Sequence, residues 1–248
     1  MTWFYQLLLL IYVLSVYQSV QANELMNQSK FLPARIGDGP NALTQNLQCP
    51  DRVNDEDSIL VICQATIKST GKAEKTYCVT KEHKKHREYR KNIESAFSKS
   101  KFLPASVNDE NMDVFISFRI LFEKNESDCS FIFIPNLGFN EDELGLNYIA
   151  PQEILIKNST WSDRVKLFGI FKDEISKFRT GLLFSISTLV STSGNASDAK
   201  IESNPIRSKL EAKRSLRGIV TSKFIPGFYK GVPYEMRYYD VLYAVPGN

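Results

Sequence analysis

Four cysteines and two histidines are the side chains of this chain best suited to chemistry, and their spacing limits what they can do. Cys63 and Cys78 lie symmetrically about Thr70-Gly71. Ser69-Thr70-Gly71-Lys72 is a turn signal, and the residues before it alternate, with Ile59, Val61, Cys63, Ala65 and Ile67 on one face. Period-two alternation ahead of a glycine turn predicts the first strand of a hairpin. A two-residue turn would set Cys63 directly across from Cys78, where a disulfide can form. Cys49 and Cys129 are then left to staple the N-terminal segment to the strand that follows Phe122. Four cysteines allow three pairings, and free buried thiols are the alternative.

His83 and His86 sit in Lys81-Glu82-His83-Lys84-Lys85-His86-Arg87. His-x-x-His spacing can hold a metal. Here cations surround the pair and no third ligand is near, so a solvated helix start without metal is expected. The same basic run is suited to an acidic partner or a lipid headgroup. The sequence has no glycine-rich phosphate loop, no Gly-x-Ser-x-Gly and no cluster of His, Cys and carboxylates. No catalytic residue, cofactor or small-molecule substrate is evident, and no enzyme is expected. A net charge of +3, from 31 basic and 28 acidic residues, is too balanced to argue for nucleic acid.

The elements that would position these residues occur twice. Ser100-Lys101-Phe102-Leu103-Pro104 returns as Ser222-Lys223-Phe224-Ile225-Pro226, 122 residues further on. Gly71 has its counterpart in Gly194, 123 further on, behind a second alternating run of Leu182, Phe184, Ile186, Thr188 and Val190. Between turn and Phe-x-Pro, Tyr89, Ile93, Ala96 and Phe97 share one helix face. At offset 123 they become Ala212, Leu216, Ile219 and Val220. A final strand carries Val114, Ile116, Phe118, Ile120 and Phe122, matched at offset 121 by Tyr239, Val241 and Tyr243. Cys63 and Cys78 correspond to Ile186 and Ile201, so a facing apolar pair stands where the first copy has its thiols. Each copy reads as strand, turn, strand, helix, strand.

This order resembles the C-terminal domain of TonB, which runs as hairpin, helix, a Phe-x-Pro-Ala segment, a turn and a last strand. Here the segment is Phe102-Leu103-Pro104-Ala105, with Gly227 in place of the alanine in the second copy and Lys230-Gly231-Val232-Pro233 as its turn. The resemblance covers Ser58 to Phe122 and Gly181 to Tyr243. It implies an α+β fold of two tandem ββαβ modules, each a helix packed on a small antiparallel sheet. It also implies binding of an extended protein or peptide segment of the cell envelope, in that family an outer-membrane transporter, as a strand added beside the last strand. The contact residues so implied are Asp113, Val114, Phe115, Ile116, Ser117, Phe118 and Arg119, and Tyr234, Glu235, Met236, Arg237, Tyr238 and Tyr239. The last strand would lie at a sheet edge. The proline-rich spacer of an energy transducer is missing, with only 10 scattered prolines. A periplasmic structural or scaffolding protein is therefore the alternative.

The expected organisation is a signal peptide over 1–22, a polar segment 23–57, a first module 58–136, a connector 137–180 and a second module 181–248. The apolar run Leu7–Val13 and the small residues before Ala22 suggest export to the periplasm, an uncleaved anchor being the other possibility. In the connector, Trp161, Val165, Phe168, Phe171, Ile175 and Phe178 follow helical spacing. Tyr148-Ile149-Ala150-Pro151-Gln152 before it has no evident role. Asn-x-Ser/Thr sequons at Asn27, Asn125, Asn158 and Asn195 matter only in a eukaryotic secretory pathway.

Overall fold

The computed structural model describes residues 30–50, 58–82, 84–125, 128–156, 181–203 and 209–244. The apolar N-terminal run, His83 and the aromatic stretch 161–178 lie outside them. The chain opens with β1 (Phe31–Leu32), β2 (Arg35–Ile36) and a single turn α1 (Leu43–Asn46). A hairpin of β3 (Ser58–Ile67) and β4 (Ala73–Val79) leads to helix α2 (Arg87–Lys99). Three short strands follow, β5 (Phe102–Leu103), β6 (Ala105–Val107) and β7 (Glu110–Met112), then the long β8 (Val114–Asn125) and β9 (Asp128–Ile134). After α3 (Glu141–Leu144) come β10 (Tyr148–Ile149) and β11 (Gln152–Ile154). A second hairpin, β12 (Gly181–Val190) with β13 (Ala196–Ser203), precedes helix α4 (Lys209–Thr221). The chain then gives β14 (Phe224–Ile225), β15 (Gly227–Tyr229), β16 (Val232–Tyr234) and β17 (Met236–Ala244). The fold is α+β, with few helices and antiparallel strand pairs.

The alternation in β3 sets its core. Ile59, Val61, Cys63, Ala65 and Ile67 are at most 3% exposed, while Leu60 between them is 42% exposed. Helix α2 lays Tyr89, Ile93, Ala96 and Phe97 on this face, and Phe97 stacks on Phe118 of β8 at 4.4 Å. The helix stops at Ser100, whose Oγ donates to the Ala96 carbonyl oxygen at 2.7 Å. Phe102 then turns into the core at 4.9 Å from Phe97, and Pro104 keeps the chain extended. Ser222 repeats the stop at the end of α4, its Oγ donating to the Gly218 carbonyl oxygen at 3.0 Å.

From β3 to β8 and from β12 to β17 the elements follow one order, each later element starting 122 or 123 residues after its counterpart. Three details of register differ from the sequence expectation. The turn between β3 and β4 is longer than two residues, closed by Lys68 N donating to the Lys72 carbonyl oxygen at 2.9 Å. A bulge at Lys75, with φ +53, takes up the extra residue, so Cys63 still faces Cys78. Helix α4 starts 122 residues after α2, which buries Ile219 completely and leaves Val220 44% exposed. Strand β17 likewise follows β8 at 122 rather than 121, so Met236, Tyr238 and Asp240 are buried and Tyr239 is only partly covered.

Lys81, Glu82, Lys84, Lys85 and Arg87 are exposed, as a solvated helix start requires, but His86, at the N-terminus of α2, departs from that expectation: it is 4% exposed and meets the Tyr89 ring edge-on at 6.2 Å. Disulfides join Cys63 to Cys78 and Cys49 to Cys129, and the second ties the segment after α1 to β9. Among the described residues no helix is long and apolar enough to cross a membrane.

Candidate functional site: the last strands and their edges

Strand β8 is not an edge. On one side β3 pairs with it from Val114 to Glu123. On the other, β11 pairs at Val114 and Phe115 and β9 pairs from Arg119 to Asn125. This corrects the expectation that both last strands are open. The reason lies in sequence beyond the repeated pattern: β9 folds back as a hairpin, and β11 arrives from the connector. Strand β17 differs. It pairs with β12 from Gly181↔Ala244 to Val190↔Met236, and among the described residues no strand lies on its other side. One carbonyl there is capped, because Asn140 Nδ2 donates to the Arg237 carbonyl oxygen at 3.1 Å. Arg237 is the counterpart of Phe115, where β11 joins β8.

The side chains expected to meet a partner are mostly engaged within the chain. Asp113 forms an ion pair with Lys68 and accepts a hydrogen bond from Ser69 N at 2.7 Å. Burial alone would raise its carboxyl, but the bonds from Lys68 and the Ser69 amide outweigh it and hold it below the ordinary carboxylate range. Val114, Phe115, Ile116 and Phe118 are buried, as is Ser117. Arg119, 9% exposed, donates through Nε to the Asn136 carbonyl oxygen at 3.1 Å and through Nη2 to Asn136 Oδ1 at 2.9 Å, and pairs with Glu141. This guanidinium packs under Gly138, where a Cβ would meet it at 2.8 Å. Arg119 therefore holds the loop after β9 in place.

In the second set, Tyr234 is exposed and its hydroxyl donates to Glu143 Oε1 at 3.0 Å, a bond to a carboxylate that raises the phenol. Glu235 is exposed, between β16 and β17. Met236 fills the space beside Gly227, where a Cβ would run into its sulfur. Arg237 donates to Ser187 Oγ at 3.0 Å and pairs with Asp198. Bonds from Lys200 and then Arg237 hold the Asp198 carboxyl low. Tyr238 packs on Phe224 at 4.9 Å, and Tyr239 stacks on Phe139 at 4.0 Å, with burial first and then Glu202 raising its phenol.

Sequence reasoning missed two short straps. Strands β1 and β2 pair with β6 and β5 through Phe31↔Val107 and Arg35↔Leu103. Strands β10 and β11 pair with β15 and β14 through Tyr148↔Tyr229 and Gln152↔Ile225. The stretch Tyr148-Ile149-Ala150-Pro151-Gln152 thus does for the second set what Phe31–Ile36 does for the first, at an offset of 117. The straps meet where Gln152 Oε1 accepts from Ala34 N at 2.7 Å and its Nε2 donates to the Ala34 carbonyl oxygen at 2.8 Å. A signal existed: Phe31-Leu32-Pro33-Ala34 repeats Phe102-Leu103-Pro104-Ala105.

The chain matches no family model, no curated protein and no solved structure. Among the described residues no group of three or more His, Cys, Asp and Glu could hold a metal ion.

Proposed function

We propose that the chain is an exported binding protein of two tandem TonB-like ββαβ modules, 58–136 and 181–248, whose second module takes an extended partner segment beside β17. The observation that carries this reading is the contrast between equivalent strands. The outer side of β8 receives β9 and β11, whereas that of β17 faces no strand among the described residues. A strand of this length with one side open offers a row of backbone donors and acceptors to an incoming segment. The partner is a protein of the cell envelope, and in the TonB-like reading the segment belongs to an outer-membrane transporter. Two disulfides favour an oxidising compartment.

An extended transporter segment titrated into ¹⁵N-labelled protein tests this. Amide shifts and slowed exchange confined to Met236–Ala244 are expected. Unchanged β17 amides at about millimolar peptide would leave the scaffolding role, which the shared strand β11 favours because it joins the two modules through β8 and β14.

A further inference from the structure

A cavity of about 280 Å³ opens beside β8 at Ile116–Phe118, in the gap between β9 and β11. Its walls are apolar, with Phe102, Ile116, Phe118, Phe133 and Ile149 among them. The strand register shows which backbone groups face it. Cys63 and Cys78 have Cα atoms 4.2 Å apart, the close spacing of a non-hydrogen-bonded pair. Cys63 therefore turns its amide and carbonyl toward β8, where its partner is Phe118. The next residue, Ser117, must turn its own N–H and C=O the other way, into the gap. The same parity follows from the far end, where the Asp113 carbonyl oxygen accepts from Leu155 N at 2.8 Å. Continuing the β11 register would put Pro151 opposite Ser117, and proline has no N–H to give. Pro135 stands at the other end of the gap, and its carbonyl oxygen accepts from Ala150 N at 3.2 Å. That bond bridges the gap, so a strand cannot run through it; a chain end can enter. Arg35, exposed and without an acidic partner among the described residues, belongs to the same lining.

We propose that this cavity binds an apolar amino acid acylated on its nitrogen, either free or as the C-terminal residue of an extended peptide. Its amide N–H donates to the Ser117 carbonyl oxygen, its side chain lies against Phe102 and Phe118, and its carboxylate meets Arg35. The size agrees: the cavity is nearly twice the roughly 150 Å³ that takes up benzene, which is room for about a dozen non-hydrogen atoms. N-acetyl-leucine has that many. The site is lined by the first module together with the straps around Arg35 and Ala150, and it is independent of the β17 edge.

The test is an NMR titration of the full chain with N-acetyl-leucine and with its neutral carboxamide. A saturable shift of the Ser117 amide is expected with both. Arg35→Glu should weaken the acid at least about tenfold, roughly 1.4 kcal/mol, and leave the carboxamide unchanged. Ala150→Phe, which fills the cavity, should abolish both while the remaining amide spectrum is retained; if that variant does not fold, the Arg35 arm decides alone. An acetylated tripeptide ending in leucine separates the sources: tighter binding than the single residue assigns a peptide C-terminus, equal binding the free acyl amino acid. No saturable shift at Ser117 up to about 10 mM, or equal weakening of acid and carboxamide by Arg35→Glu, overturns the proposal.

Discussion

Asp113 shows how a residue can look like a contact and act as a clamp. Its carboxylate takes the Ser69 amide and Lys68, fixing the β3–β4 turn to the start of β8. Its folded-state acidity is stronger than its unfolded one, so its contribution is present above the unfolded value of 3.8 and is lost as pH falls through the folded value. Asp113→Asn is expected to lower stability by up to about 1 kcal/mol at pH 7, since the pair is partly exposed. Urea unfolding followed down through pH 4 should show the gap between variant and parent closing; a gap that persists at pH 2 would refute the assignment. The cysteines were legible at this scale because alternation and symmetry about Gly71 are written in the sequence. The role of Arg119 was not, because its partners Asn136 and Glu141 lie in a loop outside the repeated pattern.

At the scale of elements, the strand, helix and Phe-x-Pro order could be read directly, because hydrophobic period and turn residues are local signals. Register in the second half could not. A polar β17 offers few apolar markers, and its alternation points to Tyr239 where Tyr238 is the buried residue. The packing also explains the odd glycine of the second set. Ala105 and Val114 of the first set correspond to Gly227 and Met236, so lost volume on one strand is matched by gained volume on the next. Gly227→Ala alone is expected to cost about 1–3 kcal/mol by overpacking. Adding Met236→Val should recover most of that loss, a coupling measurable in a double-mutant cycle by chemical denaturation. Strictly additive effects would show that the two positions do not share one space.

For the whole molecule, the straps change what counts as a unit. A connector expected to link two bodies instead supplies β11, which lies between β8 and β14 in one sheet of order β14-β11-β8-β3-β4. Sequence could not show this, since strands of two or three residues carry no period. The two sets are therefore expected to unfold in a single transition. Hydrogen exchange should give the slowest amides of β3 and β12 the same opening free energy, and Gln152→Ala, which removes the clamp on Ala34, should lower both together. Loss of protection in β12 alone would mean the halves are energetically separate.

The shared strand also imposes an order in time. Among the described residues β14 has β11 as its strand partner, and β11 rests in turn on β8. A chain that emerges from its N-terminus completes β3, β4 and β8 before residues 224–225 exist. The first half then presents a finished template, and the second is assembled against it; folding is vectorial by construction.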